Sequence, residues 1–280
     1  SPLLSTAFRG NMKPFFNYYG GQYYNKADII KCLPMNTHRK HYIECCIGAG
    51  SVFLNKTRSI IETINDINPK IVNLWTVVRD RCEELYDTLY DVDYNENQFL
   101  KWKDLETTCP VKMAASTFIK YRMSRGGAGV SFGESSRMRG GRPEGVNKFI
   151  NSVDNLKEVS LRCQGVNITN KSVFQILSEV TDEHVLYIDP PYPKDTRTAN
   201  AKEIYDFEMS NSEHLRLVTM CEASPASIVL TSYDNDIYNE TLKSFKKYYC
   251  SSNNASAVSR VGGTNATKKQ TAIYVKRAKT

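Results

Sequence analysis

A short apolar run followed by an acid and two prolines constrains the fold more than any other stretch of this 280-residue chain. It reads HVLYIDPPY, at residues 184–192. Val185 to Ile188 are continuously apolar, which is typical of a strand buried on both faces of a parallel sheet. The two prolines lack backbone N–H donors and end the pairing in stiff, extended backbone. We therefore predict that Asp189 and Tyr192 lie at the carboxyl end of a strand, where open α/β sheets bind ligands. An ordinary strand exit is the alternative.

Strand-like and helix-like segments alternate over the first 80 residues. HYIECC at 41–46 and SIIETIND at 59–66 are typical of strands, and the glycine turn GAGSVFLNK at 48–56 is predicted to open a helix between them. PKIVNLWTVVRD at 69–80 has proline in its first turn and one apolar face, which predicts a further helix. The order is that of a βαβ unit, so we predict an α/β fold.

Residues 81 to about 160 interrupt this alternation. The segment begins with acidic, helix-like sequence, RCEELYDTLYDVD, and continues into a stretch rich in glycine and arginine. The alternation returns in VNITN, SVFQILSEV, NSEHLRLVTMCEA, SIVLTSY and TAIYVKR. We interpret 1–80 and 161–280 as one core that carries a mainly helical insertion at 81–160.

Two further motifs place acidic residues at strand ends. Glu44 precedes Gly48 and Gly50, where the missing side chains let backbone approach a ligand closely. Asp66 follows the second strand, at the position about 20 residues beyond a glycine turn that bonds a ribose diol in βαβ units. Together they predict an adenosine-bearing cofactor. A plain glycine turn, and a helix N-cap role for Asp66, are the alternatives.

Composition bounds the remaining classes. The formal net charge of +7 weakly favours a polyanionic partner. The eight cysteines contain no C-x-x-C pair and the four histidines are scattered, so we expect neither a metal site nor a disulfide framework, and a reducing cytosol. His214 is interpreted as structural. We also expect no secretory leader, and no stretch reaches the roughly 18–20 apolar residues of a membrane span.

The motifs, taken in order, resemble those of a known family. KPFFNYYGGQ at 13–22, IECCIGAGSVF at 43–53 and RMSRGGAGVSFG at 122–133 are followed by DPPYPKDTR at 189–197 and YDFEMSNSEHLRL at 205–217. These elements are similar to those of the Dam-type DNA adenine-N6 methyltransferases, with RMSRGGAGVSFG similar to phage-type site-specific members. Their order is that of the family's alpha class, and the resemblance covers nearly the whole chain. It implies a Rossmann-like methyltransferase core.

The resemblance implies methyl transfer from S-adenosylmethionine to the N6 amine of adenine in double-stranded DNA, with S-adenosylhomocysteine as product. The target base would be flipped out of the duplex. Asp189 and the Pro190 carbonyl would accept hydrogen bonds from the amine, Pro191 would complete the motif, and Tyr192 would stack on the base. The implied cofactor contacts are Tyr18, Gly20, Gly21, Glu44, Gly48, Gly50, Asp66, Ile67 and Asp189.

The basic stretch inside the insertion is the predicted DNA reader. Between residues 120 and 148, seven basic side chains stand against Glu134 and Glu144. Glycine-rich backbone there can follow a groove while arginines meet phosphates or guanine edges, although a charge run is also typical of a solvated face. The predicted DNA-binding residues are Lys120, Arg122, Arg125, Arg137, Arg139, Arg142 and, beyond the catalytic motif, Arg197.

Departures from the family pattern keep alternatives open. Cys45 and Cys46 stand where the family usually has Pro-Phe, Gln22 where it often has Lys, and Ser172 where an acid commonly contacts the cofactor adenine. They leave open a catalytically weak or inactive DNA-binding module with a degenerate cofactor pocket. Cytosine N4 and RNA are the alternative substrates. We expect a cytoplasmic or nucleoid-associated protein, in the host cytoplasm if phage or virus encoded, with a cognate restriction enzyme as a candidate partner; the oligomeric state is left open.

Overall fold

An open sheet organises the part of the chain that the computed structural model describes, residues 11–135, 137–197, 206–251 and 270–278. The strands are β1 (His41–Glu44), β2 (Ile61–Asn65), β3 (Met138–Arg139), β4 (Arg142–Pro143), β5 (Asn167–Thr169), β6 (His184–Ile188), β7 (Ser227–Tyr233), β8 (Lys246–Tyr249) and β9 (Thr271–Lys276). The helices are α1 (Lys26–Cys32), α2 (Pro69–Asp80), α3 (Cys82–Tyr90), α4 (Glu96–Lys103), α5 (Pro110–Arg122), α6 (Glu144–Asp154), α7 (Leu156–Cys163), α8 (Val173–Glu179), α9 (Asn211–Ala223) and α10 (Asp236–Thr241).

The strand order creates a switch point at the centre of the sheet. Within the described ranges, seven strands pair in the order β5-β2-β1-β6-β7-β9-β8. The chain runs outward from β1 to β2 and β5, then returns to the other side of β1 as β6 and continues to β7. The β1, β2, β5, β6 and β7 strands are parallel, and β9 is antiparallel to both of its neighbours. The α/β prediction is confirmed, and the reversal between β1 and β6 is where such sheets bind ligands.

The apolar run at 185–188 is buried as predicted. Its side chains alternate between the two faces of the sheet, as those of a strand must. Val185 and Tyr187 pack with α1 in one hydrophobic cluster. Leu186 and Ile188 pack with α9 in another. Because helices cover both faces, this strand has no solvent side, which explains why its sequence does not alternate with polar residues.

Most of the helices that form a layer beside the sheet lie in the segment at 81–160. Helices α3 to α6, most of α7 and the β3–β4 hairpin fall within it. Phe118 of α5 and Phe149 of α6 are buried in the same cluster as Leu74 and Trp75 of α2. The helices therefore extend the core of the sheet, and the division of the chain at 81 and 160 stays a prediction.

A buried ion network fixes α7 to β2. The Glu62 side chain accepts two hydrogen bonds from Arg162, at 2.6 and 2.9 Å, and also pairs with Lys56. All three side chains are at most 3% exposed. A buried carboxylate persists when it is paired and hydrogen-bonded, whereas removal of one partner costs roughly 3–5 kcal/mol. These three residues therefore hold the turn before β2 against the helical layer.

Two sequence predictions need correction or addition. The helix predicted at 48–56 is wrong, because the backbone there forms consecutive turns. Gly48 and Gly50 have positive φ, and only isolated contacts such as Leu54 N to Gly50 O, at 2.9 Å, follow them. The β8 strand is absent from the sequence predictions. It is an edge strand with mostly exposed side chains, so its sequence KKYY lacks the apolar signal of a core strand.

Candidate active site

Four polar residues meet at the carboxyl edge of the central strands. Glu44 ends β1, Asp66 directly follows β2, Asp189 directly follows β6, and Thr231 lies near the end of β7. The register pairs Glu44 with Tyr187 and Ile188 with Leu230, so the ends of β1, β6 and β7 lie at one level. The sequence predictions that placed Glu44, Asp66 and Asp189 at strand ends are confirmed.

The glycine turn after β1 is held from two sides. Trp75 of α2 donates its indole N–H to the Gly48 carbonyl at 2.9 Å. The Asp66 carboxylate accepts the Gly48 N–H at 3.0 Å and the Asn68 N–H at 2.9 Å. Asn68 itself caps α2, so the N-cap alternative for Asp66 is wrong. Asp66 instead joins the glycine turn to the start of α2.

At two positions of this turn, any side chain larger than that of glycine would collide with a neighbouring ring. At Gly50, φ is 67° and an added Cβ would lie 2.6 Å from the Trp75 ring. At Gly48, an added Cβ would lie 2.9 Å from the Tyr18 ring, which covers the turn. Gly20 and Gly21 follow Tyr18, and the Gly21 N–H donates to the Tyr18 carbonyl at 3.0 Å. The N-terminal motif and the glycine turn are therefore neighbours, as their predicted shared role requires.

Asp189 is fixed by side chains from two distant parts of the chain. Thr231 Oγ1 donates to Asp189 Oδ1 at 2.6 Å, and Gln22 Nε2 donates to the same oxygen at 3.1 Å. Burial raises the pKa of Asp189 to about 6, against the lowering effect of hydrogen bonds from Thr231, Gln22 and Tyr192. At pH 7 the group is therefore mainly ionised and acts as an acceptor.

The site concentrates carboxyl groups in a desolvated place. Burial raises the pKa of Glu44 to about 8, against the lowering effects of a hydrogen bond from Tyr42 and of the Lys56 charge. Burial also raises the pKa of Asp66 to about 6, although backbone N–H groups oppose it. Glu44, Asp66 and Asp189 lie at the ends of three neighbouring strands, so the three acids lie at one edge of the sheet. At pH 7 Asp66 and Asp189 are mainly ionised and Glu44 is mainly protonated, so this edge favours a cationic ligand such as a sulfonium with an α-ammonium group.

The family departures have local structural explanations. Cys45 is buried in the apolar cluster on the α9 side of the sheet, and Cys46 packs against that cluster. Ser172 caps α8, where its hydroxyl and the Gln175 side chain form a reciprocal capping box. Gln22 is buried and touches Asp189 directly. Ile67, predicted beside the cofactor adenine, is 45% exposed at the same strand edge.

Two aromatic side chains lie beside each other where the Asp-Pro-Pro-Tyr segment leaves β6. The Tyr192 and Tyr233 rings meet edge to face, with centroids 4.7 Å apart. Tyr233 is the last residue of β7, so the neighbouring strand end supplies it. Sequence reasoning missed Thr231 and Tyr233. The available signal was their place at the end of the next predicted strand, since parallel strand ends share one edge.

Arg197, predicted as a phosphate contact, lies in a network of ion-pair and hydrogen-bond partners, and its contact with DNA stays a prediction. Its side chain is 4% exposed and forms a bidentate ion pair with Glu208, with both N–O distances at 2.8 Å. Its Nε also donates to the Tyr192 carbonyl at 2.6 Å. A guanidinium paired with a half-buried carboxylate and a carbonyl would have to break these contacts to bind a phosphate. Arg197 instead braces the backbone of the Asp-Pro-Pro-Tyr loop.

The predicted DNA-binding residues of the insertion separate into two groups. Arg125, Arg137, Arg139 and Arg142 are exposed, the last three in and beside the β3–β4 hairpin. Lys120 pairs with Asp206 at 3.5 Å, and Arg122 donates to the Lys148 carbonyl at 3.2 Å. Burial lowers the pKa of Arg122 to about 10. The first group faces solvent, whereas Lys120 and Arg122 connect structural elements.

The remaining sequence interpretations concern packing. His214 is fully buried, and its Nδ1 lies 3.0 Å from the Tyr238 hydroxyl, in agreement with a structural role. All eight cysteines lie in the described ranges and are free thiols. Among the helices that can be described, none is long and apolar enough to cross a membrane.

An open α/β sheet that holds a glycine turn and an Asp-Pro-Pro-Tyr segment at its switch point is the architecture of a nucleotide-binding α/β protein. A family model described as D12 class N6 adenine-specific DNA methyltransferase matches residues 18–260. The chain therefore belongs to this family. It is an enzyme that transfers a methyl group from S-adenosylmethionine to the N6 amine of adenine in DNA.

Individual relatives agree with this assignment at low identity. A Type II methyltransferase of Methanocaldococcus jannaschii, M.MjaIII, is 24% identical over 268 residues, which cover 84% of this chain and 89% of the relative. A DNA adenine methylase of Salmonella typhi is 23% identical over 247 residues, which cover 81% and 83%. Among solved structures, the rRNA methyltransferase aviRa of Streptomyces viridochromogenes aligns over 97% of this chain and 91% of its own, with 11% identity and a TM-score of 0.41.

Proposed function

We propose that the edge of the sheet between β1 and β6 is the active site of this methyltransferase, with Asp189 as its catalytic carboxylate. The observation that carries the proposal is the placement of Asp189. It lies at the switch point of the sheet, its Oδ1 is held by Thr231 and Gln22, and the buried acids Glu44 and Asp66 end the next two strands of the sheet. Pro190 and Pro191 keep the backbone after it extended.

The amine of adenine requires two acceptors because its lone pair is delocalised into the ring. Asp189 accepts one N–H and the Pro190 carbonyl accepts the other, which favours a tetrahedral nitrogen with its lone pair out of the ring plane. The N6–methyl bond would form as the methyl–sulfur bond breaks, and the electron pair of that bond would stay on the sulfur of S-adenosylhomocysteine. The nitrogen would then be positively charged and would have to lose a proton. The ionised Asp189 carboxylate stabilises that charge and can accept the proton.

The cofactor is proposed to lie across the glycine turn. When bound, S-adenosylmethionine supplies a methyl group on a positively charged sulfur. The buried acids favour such a cation, and Asp66 stands where βαβ units bond a ribose. The residues proposed to hold it are Tyr18, Gly20, Gly21, Glu44, Gly48, Gly50, Asp66, Ile67 and Asp189.

The target adenine is proposed to leave the duplex and stack on Tyr192. Flipping a nucleotide costs a few kcal/mol, which stacking and the two amine hydrogen bonds must offset. Tyr233 meets the Tyr192 ring edge to face and restricts its rotation. A ring held in one orientation loses less conformational entropy when a base stacks on it.

The exposed arginines of the insertion are proposed to bind duplex DNA. Arg137, Arg139 and Arg142 lie in and beside a hairpin whose turn residues, Gly140 and Gly141, both have positive φ and open space where a Cβ would stand. Such a turn gives a narrow ribbon with charged flanks, which can enter a groove. Arg125 is the fourth proposed contact. Lys120 and Arg122 remain proposed contacts only if their present partners release them.

Labelled methyl transfer tests the proposal. Protein, methyl-labelled S-adenosylmethionine and unmethylated duplex DNA would be incubated beside an Asp189→Ala variant, and the labelled base identified after digestion. We expect labelled N6-methyladenine from the wild type and a loss of about a thousandfold or more in the variant. Label on cytosine, label on RNA alone, or a variant as active as the wild type would contradict the proposal.

A cognate restriction enzyme is a further proposed partner. The Type II name of the Methanocaldococcus jannaschii relative supports it. Cleavage of unmethylated, but not methylated, DNA by an enzyme encoded beside this one would test it. Because its substrate is DNA, we expect the protein in the cytoplasm or nucleoid, or in the host cytoplasm if a phage or virus encodes it, which fractionation would check.

A further inference from the structure

A single buried amide connects the two parts of the site that face the target base. Gln22 is 5% exposed, and its Nε2 donates to Asp189 Oδ1 at 3.1 Å and to the Tyr192 hydroxyl at 2.8 Å. Both N–H groups of the amide are thus used. One contact reaches the proposed catalytic carboxylate, and the other reaches the ring proposed to stack on adenine.

A hydrogen bond to the oxygen of this amide sets its orientation. Asn25, fully buried before α1, donates its Nδ2 to Gln22 Oε1 at 2.9 Å. The reverse orientation would place the amide oxygen against the Asp189 carboxylate and would leave Asn25 Nδ2 facing an N–H group. Only one orientation therefore satisfies all three neighbours, and in that orientation the donors face the site.

We propose that Gln22 is a positioning residue that holds Asp189 and Tyr192 in one mutual geometry through its two N–H groups. The inference rests on the proposed function of Asp189 and Tyr192. A misplacement of about 1 Å between an acceptor and a stacking platform can cost a hundredfold in rate. The residue thus acts on the chemical step through others, without touching substrate.

The neutrality of the amide is the second part of the proposal. An ammonium group in place of the amide would stabilise the ionised form of Asp189 through its charge. An uncharged donor stabilises it less, so the carboxylate protonates at a higher pH than it would beside a cation. Burial and the neutral amide together place the acidic limb of the pH profile, and a charge at position 22 should move it.

Other titratable groups near Asp189 affect the pH profile differently. The groups that interact with it are Glu44, Cys46, Tyr187, Tyr192, Tyr233 and Cys250. Burial raises the pKa of the Cys46 and Cys250 thiols and of the Tyr187 and Tyr233 phenols, so these groups do not ionise at neutral pH. Glu44 and Tyr192 remain beside Asp189, and of these two Gln22 contacts Tyr192, as it contacts Asp189 itself.

Two substitutions at position 22 separate the effect of the hydrogen-bond donors from the effect of charge. Gln22→Met keeps the length of the side chain and removes both donors, whereas Gln22→Lys keeps donors and adds charge. Gln98→Met, on α4 away from the site, is the matched control. For each variant, kcat and KM for DNA would be measured from pH 5 to 9, S-adenosylmethionine binding by calorimetry, and folding by thermal unfolding.

We expect Gln22→Met to lower kcat about 10- to 100-fold while cofactor Kd changes less than about threefold. Gln22→Lys should recover part of kcat and move the acidic limb to lower pH. Gln98→Met should match the wild type. A Gln22→Met variant with wild-type kcat and pH profile would overturn the proposal, as would equal loss of kcat, cofactor binding and thermal stability in both Gln22 variants.

Asp189→Asn distinguishes failure of this inference from failure of the proposed active site. If Asp189→Asn is as active as the wild type, the assignment of Asp189 is wrong, and the role of Gln22 is wrong with it. If Asp189→Asn is inactive and Gln22→Met is unaffected, only the role of Gln22 is wrong.

Discussion

The edge of the sheet and the β3–β4 hairpin both carry charged side chains, but they hold them in opposite ways. At the sheet edge, Asp189 is reached by donors from residues 22 and 231 and is desolvated. At the hairpin, Arg139 and Arg142 are exposed, and so are the two glycines between them. The sheet edge holds its charged groups in fixed positions, whereas the hairpin exposes its charged groups to solvent.

The difference follows from what each region is proposed to do. Catalysis needs groups at fixed distances in a place of low polarity, because charges act strongly there and need no reorganisation. Capture of a polyanion needs accessible cations that can adjust to a backbone, and its strength depends on salt. Substitutions in the two regions should therefore change different kinetic parameters.

Apart from loss of the Asp189 carboxylate itself, the largest expected effect comes from an arginine at the sheet edge. Arg197→Ala removes the Glu208 ion pair and the brace on the Tyr192 carbonyl, so the Asp-Pro-Pro-Tyr loop loses its geometry. We expect kcat to fall about 100-fold with little change in DNA affinity. Steady-state kinetics and a filter-binding assay would measure the two quantities. Weaker DNA affinity with normal kcat would return Arg197 to the group of DNA contacts.

A change of pH should have an effect of intermediate size on the sheet edge. Because the folded-state pKa of Glu44 is about 8 and those of Asp66 and Asp189 are about 6, these three carboxyls bind more protons in the folded protein than in the unfolded chain between pH 4 and 8. Their contribution to the stability of the free protein should therefore fall as pH rises through that window, while His214, whose pKa burial lowers to about 4, opposes it below pH 6.5. The ionised acids then favour a cation, so cofactor affinity should rise about tenfold from pH 5.5 to 7.5.

Thermal shift and calorimetry would check this expectation, with S-adenosylhomocysteine as the control that lacks the charge on sulfur. Its affinity should rise less than that of S-adenosylmethionine over the same interval. Glu44→Gln should flatten the pH dependence of stability. Equal pH dependence for both ligands would show that the acids do not sense the sulfonium.

The smallest effect is expected at the hairpin. Arg139→Ala and Arg142→Ala should each weaken DNA binding about three- to tenfold, with kcat at saturating DNA unchanged. The slope of log affinity against log salt concentration should fall by about one for each phosphate that the protein no longer neutralises. Titrations at several salt concentrations would measure it. A changed kcat would mean that the hairpin helps to place the target base.

Local sequence was sufficient for much of the fold and of the site. Glu44, Asp66 and Asp189 could be placed because each directly follows an apolar strand, and parallel strand ends share an edge. The α2 and α9 helices were bounded by proline at the first turn and by a serine capping box. Each of these signals depends on residues that are close together in the sequence, so it can be recognised from the sequence alone.

The missed features depend on contacts between distant residues. Gln22 reaches Asp189 across 167 positions, and no pattern near either residue announces the contact. Arg197 looked like a phosphate ligand because its partner Glu208 lies beyond the loop, and burial cannot be read from charge alone. The helix predicted after Gly50 failed because positive φ at two glycines set the turn geometry instead.

The antiparallel β9 strand has a consequence for biosynthesis. It pairs with β7 along the residues that include Thr231, and it separates β7 from β8. Ribosomes make β9 after every other described strand, so until then β7 has an unpaired edge beside the proposed catalytic group. A nascent chain that already exposes the arginine hairpin would thus bind DNA before it could methylate it, and methylation by ribosome-bound chains stalled before residue 271 would contradict this order.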